Sequence, residues 1–194
     1  MSQTRLLSAQ SRQMNVLTAL YDDPDSPRGG NPQGDVTIVA FLDYNCPFCK
    51  KSAPDLARAV KQDSGIRVIY KDWPVLTSTS RFGAQLALAS NYQGRYEDAH
   101  RALMQVPGFD VPKDKMVEAI RSAGLDMSKI ASDTVTHAAD IDAAIKRNLA
   151  IGDALGFRGT PVYLVGPFQA STLNPAGFKE AVAAARYEIM KKPD

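Results

Sequence analysis

A continuous β-branched and aromatic run, Val36-Thr37-Ile38-Val39-Ala40-Phe41-Leu42, ends just ahead of Cys46-Pro47-Phe48-Cys49. A run of this kind, bounded by polar residues, forms a central strand covered on both faces. Beyond the cysteines, Ala53, Leu56, Ala57 and Val60 recur at helical spacing, with Lys50, Lys51, Asp55, Arg58 and Lys61 between them. Pro47 suits the first helical position, where its missing N–H would be unpaired anyway. Pro54 lies inside the pattern and is expected to kink the helix. Gly65 ends it, and Ile66–Tyr70 reads as a second strand. Strand, helix and strand in that order imply a right-handed parallel crossover, with both cysteines where the first strand hands over to its helix.

The remainder of the chain is organised around that unit. Leu7, Met14, Leu17 and Tyr21 fall on roughly one helical face. The segment reads as a short amphipathic helix, docked on its own domain or serving as an oligomerisation handle. Residues 22–34 are too rich in Pro and Gly for either regular element. From about Arg81 to Gly156 the pattern is helical throughout, as in Phe82, Leu86 and Ala89, or Ile141, Ile145 and Leu149. Pro107-Gly108 and Gly124 punctuate the helices and Gly156 stops the last. Val162–Val165 returns to strand character, Gly166-Pro167 turns, and Phe178, Ala181, Val182 and Ala185 outline a closing helix. The reading is an α/β chain: an N-terminal helix and linker over 1–33, a sheet domain from 34–77 and 157–194, and a helical subdomain inserted at 78–156.

With 194 residues the chain buries a core without disulfide staples, so its only two cysteines are not needed structurally. A composition 44% hydrophobic and 23% charged is that of a globular protein, and a net charge of +2 is too small to imply a nucleic-acid partner. The stretch from Met1 to Leu20 intersperses Arg5, Gln10 and Arg12 among its leucines, so neither a membrane span nor a signal peptide is visible. A trimmed export signal leaves the same appearance.

Two sulfurs on adjacent turns suit thiol-disulfide exchange: one thiolate attacks a disulfide and its neighbour resolves the mixed disulfide. A free cysteine has a pKa of ~8.5, which falls to roughly 3.5–7.5 at a helix N-terminus. Cys46 is therefore expected to be the exposed nucleophile and Cys49 the less exposed resolver. Zinc would need four ligands, and the other soft candidates, His100 and His137, lack ligand-pair spacing. Both histidines read as partly exposed helix residues, and Lys50 and Lys51 as a solvated face that adds slightly to thiolate stability.

A second constellation, Gly159-Thr160-Pro161, directly precedes the strand at Val162. Taken together, Asp43-Tyr44-Asn45-Cys46-Pro47-Phe48-Cys49-Lys50, Lys71-Asp72-Trp73-Pro74 and Gly156-Phe157-Arg158-Gly159-Thr160-Pro161 resemble the bacterial DsbA-like thiol-disulfide oxidoreductases, from about Asp22 to Arg186. The resemblance implies a thioredoxin-like sheet carrying a helical insertion. It also implies a cis proline at Pro161 lying against the active-site disulfide, and backbone groups at Thr160 offered to an extended substrate. No cofactor beyond the redox-active Cys46–Cys49 disulfide is implied. The implied partners are cysteine-containing unfolded or partly folded proteins and a membrane redox partner, in the periplasm or another exported compartment. Separately, the oligomerisation reading of the N-terminal helix would place a homo-oligomer contact in residues 1–21. The segment 166–175 departs from the shorter hairpin expected of the family.

The direction of electron flow stays open. Pro47-Phe48 resembles the dipeptide of glutaredoxins as much as the Pro-His form of DsbA proteins, and Thr160 resembles the threonine of disulfide isomerases and of some DsbA relatives. An oxidase is the leading reading and an isomerase or reductase the second. A reading of another class is a peptide-binding module whose cysteines stay oxidised. A glutathione-transferase relative would more naturally place one serine or cysteine where this chain has a pair.

Overall fold

The computed structural model describes residues 14–191. Its centre is a five-stranded sheet in the order β1-β3-β2-β4-β5. These strands are β1 (Arg28–Gly30), β2 (Val36–Leu42), β3 (Ile66–Asp72), β4 (Val162–Val165) and β5 (Phe168–Ala170). β2 and β3 run parallel and every other pairing is antiparallel. Helix α1 covers the described residues 14–21. The others are α2 (Pro47–Gln62), α3 (Ser80–Asn91), α4 (Tyr96–Gln105), α5 (Lys113–Ser122), α6 (Met127–Thr136), α7 (Ala138–Ala154) and α8 (Pro175–Met190). α2 is the crossover from β2 to β3 and continues through Pro54, while α3 to α7 lie between β3 and β4 in the chain.

Strand alternation divides the core. Val36, Ile38, Ala40 and Leu42 of β2 join Val68 and Tyr70 of β3, Leu56 of α2 and Phe178 and Val182 of α8 in the larger cluster. Val39, Phe41 and Ile69 point the other way, into a smaller cluster with Leu20, Trp73, Ile151 and Phe157. In that second cluster Gly152 is required by close approach. A Cβ there would lie 2.6 Å from the Trp73 ring, so only glycine lets α7 reach the sheet. Lys71 also faces this side. Its fully buried ammonium donates to the Ala19 carbonyl (2.5 Å) and to the Ser26 hydroxyl (2.6 Å), with Asp23 at 3.6 Å, and so fastens the end of α1 to β3.

Four expectations change. The Pro/Gly stretch 22–34 contains a strand after all: β1 pairs with β3 through backbone groups alone, which leave no side-chain pattern to read. On α1 the buried residue is Leu20, whereas Met14 and Leu17 are 65% and 45% exposed; Leu7 lies outside the described residues. Val165 pairs with Phe168, so the β4–β5 hairpin closes on the two residues Gly166 and Pro167. The added length of this region is the 171–174 stretch, which delivers Asn174 to cap α8 by accepting from the Gly177 N–H (2.8 Å). Finally, His100 is buried, because its Nδ1 pairs with the Tyr44 hydroxyl (3.1 Å) and its ring lies among Tyr44, Tyr70 and Tyr96. His137 remains partly exposed and stacks on Tyr92.

Candidate active site

The turn from β2 into α2 is held by its own polar side chains. Buried Asp43 accepts from the Asn45 N–H (2.8 Å) through one oxygen, and from the N–H groups of Val75 (2.9 Å) and Leu76 (3.0 Å) through the other. Asn45 then spreads outward. Its Nδ2 donates to Thr77 Oγ1 (2.7 Å) and Thr79 Oγ1 (2.9 Å), and its Oδ1 accepts from the Val111 N–H (2.8 Å). These bonds fix the residue immediately before Cys46 against two loops that flank the insertion's first and third helices.

Cys46 occupies the N-cap position of α2 with extended backbone, and its sulfur accepts from the Cys49 N–H at 3.1 Å. A cap of this kind satisfies one of the otherwise unpaired N–H groups of the first turn, and the helix dipole favours negative charge there. In its protonated form the Cys46 thiol donates to the Thr160 carbonyl at 3.2 Å, and the Thr160–Pro161 bond is cis. The structure therefore brings Cys46, Cys49 and the Thr160–Pro161 loop together at the mouth of the β2–β4 pair. Pro47 opens the helix and Phe48 is 61% exposed beside it. Cys46 is not the exposed residue expected: it is only 1% exposed and Cys49 0%, because the Thr160 loop lies over the first sulfur.

The asymmetry between the cysteines lies in their hydrogen bonding. The Cys46 pKa is lowered to about 6, first by the hydrogen bond from the Cys49 thiol, then by the Thr160 side chain and the N–H groups of Cys49 and Phe48, all acting against burial. Cys49 is pushed strongly upward by burial and by the charge on its neighbour. One sulfur is thus a thiolate near neutral pH and the other keeps its proton. The Thr160 hydroxyl is buried and has no partner among the described residues other than the cysteine sulfurs.

Lys50 is not simply solvated. Its ammonium donates to the Gly108 carbonyl (2.7 Å), and burial lowers its pKa while Asp43 and both sulfurs oppose that shift. Beneath the site, Ser52 and Tyr163 share a 2.6 Å hydrogen bond from α2 to β4. Nearby, Tyr96 donates to the fully buried Asp72 carboxylate (3.1 Å), whose pKa burial raises to about 7. Asn45, Ser52, Asp72 and Tyr163 acquire these positions only through long-range contacts. Asn45 alone carried a local signal, as a polar residue just ahead of a helix start.

Residues 37–183 match the DSBA-like thioredoxin domain, and the chain belongs to that family. Among solved structures it is similar to a thioredoxin-like oxidoreductase from Silicibacter pomeroyi, with 36% identity, 88% of this chain and 97% of that one covered, and a TM-score of 0.81. It is also similar to the catalytic domain of Proteus mirabilis ScsC, with 25% identity, 89% and 95% covered, and a TM-score of 0.79. Among curated relatives, it matches the Na(+)/H(+) antiporter NhaA 3 of Salinispora tropica at 25% identity over 97% of this chain and 30% of that protein. The chain thus spans about a third of the length of that relative. The thioredoxin-like fold is that of the thiol-disulfide exchange oxidoreductases.

Proposed function

We propose that the chain is a DsbA-like oxidase that passes the Cys46–Cys49 disulfide to cysteine-containing unfolded or partly folded proteins. The observation that carries this reading is the Cys46 sulfur capping α2, with its pKa held near 6. A thiolate favoured in this way stabilises the dithiol form and makes the disulfide more oxidising.

The steps follow from the asymmetry. A substrate thiolate attacks Cys46 Sγ, the Cys46–Cys49 bond breaks, and Cys49 leaves with the electron pair and takes up a proton in its buried site. A second substrate thiolate then attacks the substrate sulfur of the mixed disulfide. Cys46 departs as a stabilised thiolate, the substrate has lost two electrons, and the protein is left as the dithiol. A membrane redox partner would restore the disulfide, in the periplasm or another exported compartment. Among the described residues no helix is long and apolar enough to cross a membrane.

Equilibration with a glutathione buffer tests the direction. A potential near that of DsbA, about −120 mV, supports the oxidase, and one near −270 mV supports a reductase. The rate at which the reduced protein attacks a small disulfide through Cys46 should also rise with pH and level off above about 6. A disulfide refractory to both glutathione and dithiothreitol would instead favour the peptide-binding module. One observation favours the isomerase or reductase reading: α1 presents Met14 and Leu17 to solvent, as a dimerisation strip would. Light scattering that shows a strict monomer counts against that form.

A further inference from the structure

A cavity of about 580 Å³ lies between α2 and α4, and it begins one residue beyond the cysteine pair, at Lys50. Ala53, Pro54 and Ala57 of α2 form one apolar wall, and Met104 with Val106 and Pro107 form the other. Resting on the exchange activity proposed above, we infer that this groove holds an extended segment of the protein substrate, apolar with acidic residues, while a neighbouring cysteine reacts at Cys46. The Thr160 carbonyl meets the sulfur from the β4 side, so this is a second contact, on the insertion side.

Three observations assign that occupant. The first is continuity. Lys50 belongs both to the groove and to the site, because its ammonium responds to charge on both sulfurs and is bonded to Gly108 in the loop that closes the groove. The second is the path between them. Phe48 is 61% exposed and Phe109 59%, and Phe109 sits between two tethered positions, the Gly108 carbonyl on Lys50 and the Val111 N–H on Asn45. Aromatic rings left in water at the start of α2 and in the loop tethered to Lys50 and Asn45 suit the apolar side chains of an unfolded chain. The third is charge. Lys50 and Lys51 line the groove and neither forms an ion pair among the described residues, although Asp43 acts on Lys50 at longer range. Arg101 is shared with Asp98, and the one lining acid, Glu97, accepts from the Tyr70 hydroxyl.

A cavity of similar size, about 570 Å³, lies between α2 and α8. It starts at Arg58, further along α2 from the cysteines, and Arg186 at its edge is bonded to Asp63 (2.7 Å). It therefore provides the control.

The oxidised protein is mixed with dithiothreitol or with one of two short peptides of equal length, each carrying one cysteine. Leu and Glu flank the cysteine in one peptide, Ser and Lys in the other. Ala57→Trp should slow mixed-disulfide formation with the Leu/Glu peptide about tenfold, the scale of one buried apolar side chain, and leave its reaction with dithiothreitol comparable to wild type. Lys51→Glu should lower the preference for the Leu/Glu peptide severalfold, and Ala183→Trp, in the α2–α8 cavity, should change neither peptide. An unaltered Leu/Glu rate in Ala57→Trp, or the loss appearing in Ala183→Trp instead, overturns the inference. If the peptide and dithiothreitol rates of Ala57→Trp fall together, Lys51→Glu decides, and an unchanged peptide preference there overturns it. Wild-type protein inert even to dithiothreitol is a different result, because it removes the exchange activity itself.

Discussion

The two flanks of Cys46 are built differently. On the β4 side the contact is main chain: the Thr160 carbonyl meets the sulfur, and its position follows from the antiparallel register that sets Phe41 opposite Val162. On the insertion side the contacts run through side chains, with Asn45 reaching Thr77, Thr79 and Val111 and Lys50 reaching Gly108. A backbone contact survives most substitutions, whereas a side-chain tether can be changed one residue at a time. The cysteine sulfur is thus anchored to sheet register, and under the proposed exchange activity its insertion-side surroundings are adjustable.

The largest effect should come from Cys46→Ser, which abolishes exchange. A mixed disulfide trapped through Cys49 in that variant, detected by mass spectrometry, would break the asymmetry on which the comparison rests.

Next comes Asp72, which receives the Tyr96 hydroxyl from α4 and so supports the insertion side. Burial raises its pKa from 3.8 to about 7, so the folded state binds the proton more tightly than the unfolded one. Its contribution is full below the unfolded value and is lost as pH rises through about 7. His100 works in the opposite sense. Burial lowers its pKa from 6.5 to about 4, so its contribution is present above 6.5 and lost as pH falls toward 4. Urea titrations between about pH 4 and 8 should show Asp72→Asn gaining a few kcal/mol at the upper end and exposing the His100 slope. An unchanged pH profile would mean that Asp72 does not titrate between folded and unfolded states in this range.

Asn45→Ala should cost about 2–3 kcal/mol of stability, since it leaves buried partners unpaired, and should slow a peptide substrate more than dithiothreitol. Equal slowing of both would mean that Asn45 supports only the cysteine turn. The smallest effect belongs to Thr160→Val, which should raise the Cys46 pKa by less than about one unit, read from ultraviolet thiolate absorbance. A shift larger than that of Cys49→Ala would reverse the order of causes, because the Cys49 thiol contributes most.

The same contrast separates what was legible in the sequence from what was not. β2, β3 and the cysteine-bearing helix were readable because strand and helix periodicities survive in Val36–Leu42 and in Ala53, Leu56 and Val60. The site role of Thr160-Pro161 was readable only through the family resemblance, because nothing in the local pattern before Val162 marks it. β1 escaped notice because Arg28–Gly30 is held by its neighbour's backbone, and β5 because Phe168–Ala170 is short and largely exposed. His100 gave no sign of burial, since its enclosure depends on Tyr44, Tyr70 and Tyr96, which are distant in the chain. The loop around Phe109 reads as a mere break between helices. Only the Asn45 and Lys50 tethers turn it toward the cysteines.

The Cys46 cap also links redox state to folding. The charged sulfur that closes the first turn of α2 exists only in the dithiol form, so oxidation takes away part of what holds that helix end. Folding, unfolding, oxidation and reduction form a closed thermodynamic cycle. Around it, the difference in unfolding free energy between the two forms equals the difference in disulfide strength between the native and denatured chain. Paired denaturation curves, run with and without reductant, therefore weigh the site's oxidising power without any substrate present.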